Sequence, residues 1–122
     1  RIADWFGIRQ IVCSTDSAEL YNPKVVQSTM GSIGRVQVLY TDLGAWLAAQ
    51  TGSRIYAAML DGKDVSSMEP LREGIILIGN ESKGVSAGLS GLAHERITIP
   101  KKGNAESLNA AVATGIILSN LA

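Results

Sequence analysis

From Gly74 to Ile78 the chain reads Gly-Ile-Ile-Leu-Ile, an unbroken apolar run. A run this short suits a strand buried on both faces, and such strands belong to parallel sheets covered by helices. The rest of the sequence is paced to match. Ile8 to Ser14, Val36 to Tyr40, Ile55 to Leu60 and Arg96 to Ile99 read as further short strands. Asn22-Pro23 supplies an N-cap and a proline at N1 for a helix over Lys24 to Met30, stopped near Gly31. Asp42 caps a second helix, Leu43 to Thr51, with Gly52 as its stop. A short helical stretch ends near His94, and a long closing helix starts at Ala105 or Glu106, apolar at Leu108, Ala111, Val112, Ile116 and Leu118. Thr15-Asp16-Ser17 is turn chemistry, and Asp61-Gly62 turns the chain after Leu60. Strand and helix alternate without a composition break or a repeat. The expectation is one α/β domain over residues 1–122, a mostly parallel sheet flanked by helices.

Composition removes several functions. With 46% hydrophobic and 18% charged residues the chain is globular rather than disordered. Eleven Lys plus Arg balance eleven Asp plus Glu, so nucleic acid cannot be held by bulk charge, although a local basic patch remains open. One cysteine, Cys13, excludes an internal disulfide, and with one histidine, His94, it cannot complete a four-ligand zinc site, so no metal is expected. No apolar run approaches the ~18–20 residues of a membrane span, and the start lacks a signal-peptide layout. A soluble, cytoplasmic domain is the expectation. Ile2, Trp5 and Phe6 have helical spacing and Gly7 reads as a stop, yet no cap precedes them. This start reads as the back half of a helix whose upstream residues are missing.

The polar and glycine clusters after Leu60, Ile78 and Ile99 all follow strands, and ligands of parallel sheets bind beyond the carboxyl ends of strands. Gly79 to Gly84 has the glycine spacing of a phosphate loop, but Val85 and Ser86 follow where Lys and Ser or Thr are needed, and Glu81 is repulsive to phosphate. No GxGxxG dinucleotide fingerprint is present. The plain reading is a strand-to-helix turn, with Ser86 capping the next helix. Asn109 reads as lying in the first turn of the closing helix, where asparagine is a poor helix former. It is either a cap or an amide with donor and acceptor for a small polar ligand. His94 reads as a helix-end residue near the macrodipole rather than a catalyst, and Lys101-Lys102 as a solvated basic pair. Gly31-Ser32-Ile33-Gly34 has the form of a KH loop without the surrounding domain.

Four segments together resemble the SpoU (TrmH-like) family of RNA 2′-O-ribose methyltransferases, within the SPOUT superfamily. Arg1-Ile2-Ala3-Asp4-Trp5-Phe6-Gly7 looks like the tail of its first motif, an asparagine-containing stretch ending in Arg, a small residue and Gly. Asn22-Pro23-Lys24-Val25-Val26 through Ser28-Met30-Gly31-Ser32 resembles the family's NPKVVRSSMGS segment. Ile78-Gly79-Asn80-Glu81-Ser82-Lys83-Gly84-Val85-Ser86 resembles the second motif. Ile99-Pro100 through Glu106-Ser107-Leu108-Asn109-Ala110-Ala111-Val112-Ala113 resembles the third, with Ala110-Ala111 where Val-Ser is frequent. The asparagine of the first motif and the first strand are absent, since the chain starts at the motif's arginine.

The resemblance implies a deep trefoil knot at the C-terminal end, S-adenosylmethionine as cofactor, a homodimer, and ribosomal or transfer RNA as substrate. It implies a catalytic shell of Arg1, Glu81, Ser107 and Asn109. Leu60, Asp61, Gly62, Ile78, Gly79, Asn80, Gly84, Ile99, Pro100 and Leu108 would bind the cofactor, with Leu60, Ile78 and Ile99 against its ring. Arg1 is better suited to clamp a phosphate than to act as a base, because a guanidinium does not release its proton. Lys24, Arg35, Lys83, Lys101 and Lys102 are the candidate RNA contacts. The competing expectations are a cofactor- or RNA-binding dimeric module, inactive because its first motif is incomplete, and a purely structural dimerisation unit.

Overall fold

The computed structural model describes residues 1–15, 34–79 and 84–122. They form two compact units, Arg1–Leu47 and Ala48–Ala122. The expected helix over 24–30, its Asn22-Pro23 start and the Asp16-Ser17 part of the first turn lie outside the described residues.

In the first unit, α1 (Ile2–Trp5) ends as the sequence suggests, with the Gly7 N–H on the Asp4 carbonyl at 3.1 Å. β1 (Gln10–Cys13) and β2 (Gln37–Tyr40) pair in parallel, Gln10 opposite Gln37 and Cys13 opposite Tyr40. The Arg35 Nε donates to Asp4 Oδ2 at 2.8 Å, fastening the approach to β2 onto α1. α2 (Leu43–Ala48) starts at the expected cap, the Ala45 N–H donating to Asp42 Oδ1 at 3.2 Å, and stops three residues before Thr51.

The second unit is built on three parallel strands in the order β4-β3-β5. They are β3 (Ile55–Asp64), β4 (Ile75–Leu77) and β5 (Glu95–Thr98). Ile55 to Ala57 face Ile75 to Leu77 on one side, and Tyr56 to Ala58 face Glu95 to Ile97 on the other. β3 corrects the expectation of a turn at Asp61-Gly62. The strand bulges there and resumes, because Lys63 and Asp64 pair again with Ile97 and Thr98. A 3-10 turn, Val65–Ser67, follows, capped by Asp64 Oδ1, which accepts from the Ser66 N–H at 2.8 Å. α3 (Ala87–Ser90) has the expected cap, the Leu89 N–H donating to Ser86 Oγ at 3.3 Å.

α4 (Ala110–Leu121) starts later than the sequence suggests. The reason is Asn109, whose Oδ1 accepts from the N–H groups of Ala111 at 2.8 Å and Val112 at 3.3 Å and holds its own backbone outside the helix. The buried face also differs from the expected one. Leu118 is buried in keeping with its apolar spacing, but Ile117 and Leu121 are buried with it, and Val112 is exposed. A helix apolar on every side leaves its buried face to be chosen by what it packs against. Here Ile117 and Leu121, one turn apart, join Tyr56, Val65 and Ile97 in the core. The Leu71 N–H donates to the Leu121 carbonyl at 2.7 Å. The Gly74-to-Ile78 run is covered on both sides, Leu77 being buried and Ile76 and Ile78 packing against that core. Among the described residues no helix is long and apolar enough to cross a membrane, and no His, Cys, Asp or Glu cluster could hold a metal ion.

Candidate ligand site at the strand ends

Parallel pairing places the carboxyl ends of β3, β4 and β5 on one edge of the sheet. Ala57 lies between Leu77 and Arg96 in register, so Ile78-Gly79, Met59-Leu60 and Ile99-Pro100 all leave from that edge. The three strand-end loops named from the sequence therefore leave the same edge of the sheet.

The first loop is an arch. Ala58 and Lys63 both face Ile97, so Met59 to Gly62 departs from β5 and returns to the same place. Leu60 on this arch is 81% exposed. Gly62 has φ 150°, and a Cβ there would lie 2.7 Å from the carbonyl carbon and oxygen of Arg96, so only glycine fits. Asp61 is paired with the Arg96 guanidinium at 3.2 Å.

The two ends of the second loop, Gly79 and Gly84, lie against each other. A Cβ at Gly79 would collide with the backbone of Gly84 and Val85, so only glycine fits at that position. Gly84 has φ 66°. Asn80 and Glu81, expected for cofactor and catalysis, lie outside the described residues.

The third loop runs from Pro100 to Asn109, and all of it is exposed, including Lys101, Lys102 and Ser107. Leu108 is 46% exposed and precedes the Asn109 cap. Ile78 and Ile99 differ from Leu60 and Leu108, since part of their surface is spent on the core.

Arg1, the remaining expected catalytic residue, belongs to the first unit, where its carbonyl accepts from the Trp5 N–H at 2.9 Å. His94 is not a helix-end residue. Its Nδ1 accepts from the Ile55 N–H at 2.8 Å and its own N–H donates to the Ile55 carbonyl at 2.8 Å. It clips the start of β3, the end of the strand away from the loops. Arg96 is the site-edge residue that sequence reasoning missed. Its partner Asp61 is 35 residues away, and no local periodicity connects them.

A family model described as the SpoU rRNA Methylase family matches residues 1–119. The 23S rRNA (guanosine(2553)-2'-O)-methyltransferase RlmP of Bacillus subtilis is 29% identical over 124 residues, covering 99% of this chain and 50% of that protein. A solved structure of a putative RNA methyltransferase of the TrmH family from Porphyromonas gingivalis superposes with TM-score 0.89 at 37% identity, covering 98% of this chain and 51% of that one. The AdoMet-bound rRNA methyltransferase from Sinorhizobium meliloti gives TM-score 0.89 at 28% identity, covering 98% and 48%. The chain spans about half the length of the curated relatives it matches.

Proposed function

The chain belongs to the SpoU rRNA methylase family, and from that premise we propose that its whole protein methylates a ribose 2′-hydroxyl of ribosomal or transfer RNA with S-adenosylmethionine. The observation that carries the proposal is the set of three parallel strand ends whose turns lack side chains at Gly62 and Gly79. The residues present suit the cofactor. Leu60 and Leu108 hold open apolar surface for a purine ring, and bare backbone permits close approach and hydrogen bonding to its edge.

When bound, the cofactor supplies a sulfonium methyl for in-line displacement by the ribose oxygen. The chain's own part is alignment, since holding the reactants in line removes most of the entropic barrier. Asn109 uses its amide oxygen on the Ala111 and Val112 N–H groups, and this turns the NH2 end into the donor that orients the ribose. Ser107 lies two residues earlier on the same exposed loop and orients the hydroxyl beside it. Arg1 clamps an RNA phosphate, and the hydroxyl proton leaves through a phosphate oxygen or a neighbouring side chain. Glu81 binds ribose hydroxyls or places Arg1. The reading extends to a homodimer, a C-terminal trefoil knot and a cytoplasmic location.

The test is incubation of the whole protein with methyl-labelled S-adenosylmethionine and ribosomal or transfer RNA. Label in alkali-resistant dinucleotides supports ribose methylation. Cofactor binding without incorporation into either RNA overturns the proposal.

A further inference from the structure

The arch of β3 is held by a residue outside all four resembling segments. Met59 to Gly62 leaves and rejoins the sheet opposite a single residue, Ile97. Such an excursion has no ladder hydrogen bonds of its own to fix its shape. Arg96, the residue before Ile97, supplies two restraints. Its backbone carbonyl fills the space where a side chain of Gly62 would go. Its Nη1 donates to Asp61 Oδ2 at 3.2 Å and lies 3.5 Å from Oδ1.

The pair is solvent-exposed, with Arg96 at 53% and Asp61 at 76%. Exposed pairs contribute little to global stability. Loss of the pair therefore leaves global stability nearly unchanged. With its carboxylate on Arg96, Asp61 meets a ligand mainly through its backbone. Leu60 beside it keeps its apolar side chain open.

We propose that Arg96 is a positioning residue of the cofactor site, holding the Leu60–Gly62 arch in its binding shape through Asp61. This rests on the reading of the strand-end loops as an S-adenosylmethionine site. A loop held in its bound shape beforehand loses less freedom when the ligand arrives, so the tie appears in cofactor affinity.

The experiment compares whole protein carrying Arg96→Ala, Arg96→Lys, Arg96→Glu and the swap Arg96→Glu with Asp61→Arg. S-adenosylmethionine affinity is read by calorimetry, KM and kcat by methylation assay, and amide exchange over residues 59–63 by mass spectrometry. Arg96→Ala is expected to weaken cofactor affinity and raise its KM about three- to fivefold. Its kcat at saturating cofactor and its melting midpoint stay at wild-type values, and exchange over the arch accelerates. Arg96→Lys retains most of the affinity, Arg96→Glu loses more than the alanine variant, and the swap regains part of that loss. Unchanged arch exchange in Arg96→Ala overturns the proposal, as does unchanged cofactor affinity. A wild-type protein that binds no S-adenosylmethionine overturns the functional reading instead, and arch exchange then still decides whether Arg96 holds the arch.

Discussion

On the proposed function, Asn109 carries two tasks on the two ends of one amide. Its oxygen caps α4, and loss of such a cap costs about 0.5–2 kcal/mol. Its NH2 end is assigned to the ribose. Aspartate keeps the oxygen and removes the donor. Asn109→Asp is therefore expected to melt within a degree or two of wild type while turnover falls roughly 10²-fold. Asn109→Ala is expected to lose both stability and turnover. Thermal melting beside a methylation assay separates the two, and near-wild-type turnover in the aspartate variant removes Asn109 from the chemistry. His94 offers the opposite case. His94→Ala deletes the acceptor for the Ile55 N–H, and because the imidazole is exposed, water can replace it. The cost in denaturant unfolding is expected near about 1 kcal/mol, with kcat unchanged. Caps such as Ser86 and Asp42 were legible because donor and acceptor lie three residues apart. The His94–Ile55 clip and the Arg96–Asp61 tie span 39 and 35 residues, and a single sequence carries no local trace of such pairings.

At the scale of elements, the strands were legible as apolar runs, and the errors fall at their ends. Asp-Gly is the same chemistry in a turn and in a bulge. What makes Asp61-Gly62 a bulge is the availability of Ile97 and Thr98 on β5 to pair with β3 a second time. Gly62→Ala is expected to destabilise by at least about 1–3 kcal/mol, since its φ excludes other residues and the blocking atoms are backbone that cannot move aside. Chemical denaturation measures this, and a neutral result would contradict the arch geometry. α4 shows the converse problem. Apolar spacing located the helix without choosing its face. Leu121→Ala is expected to cost about 2–5 kcal/mol through the cavity it leaves in the core, and Val112→Ala less than about 0.5 kcal/mol.

Over the 122 residues as a whole, formal charge is zero. On the proposed function, what this region adds to RNA affinity then depends on where its cations are placed. Lys101 and Lys102 sit on the exposed loop leading to Asn109. Replacing both with alanine is expected to lower the slope of log affinity against log salt by about one to two, with ribosomal or transfer RNA titrated over a salt series. An unchanged slope places the RNA path elsewhere.

The parallel β4-β3-β5 order also sets when this region can come into being during synthesis. Ile55 awaits Ile75, Tyr56 awaits Glu95, and the Leu71 N–H awaits the carbonyl of Leu121. Each closure spans a longer stretch of chain than a hairpin does, and pairings of that reach form slowly. On the ribosome, β3 emerges with neither neighbour and with apolar Ile55 to Leu60 uncovered. That apolar surface and both strand edges stay open to wrong partners until residue 121 has left the exit tunnel.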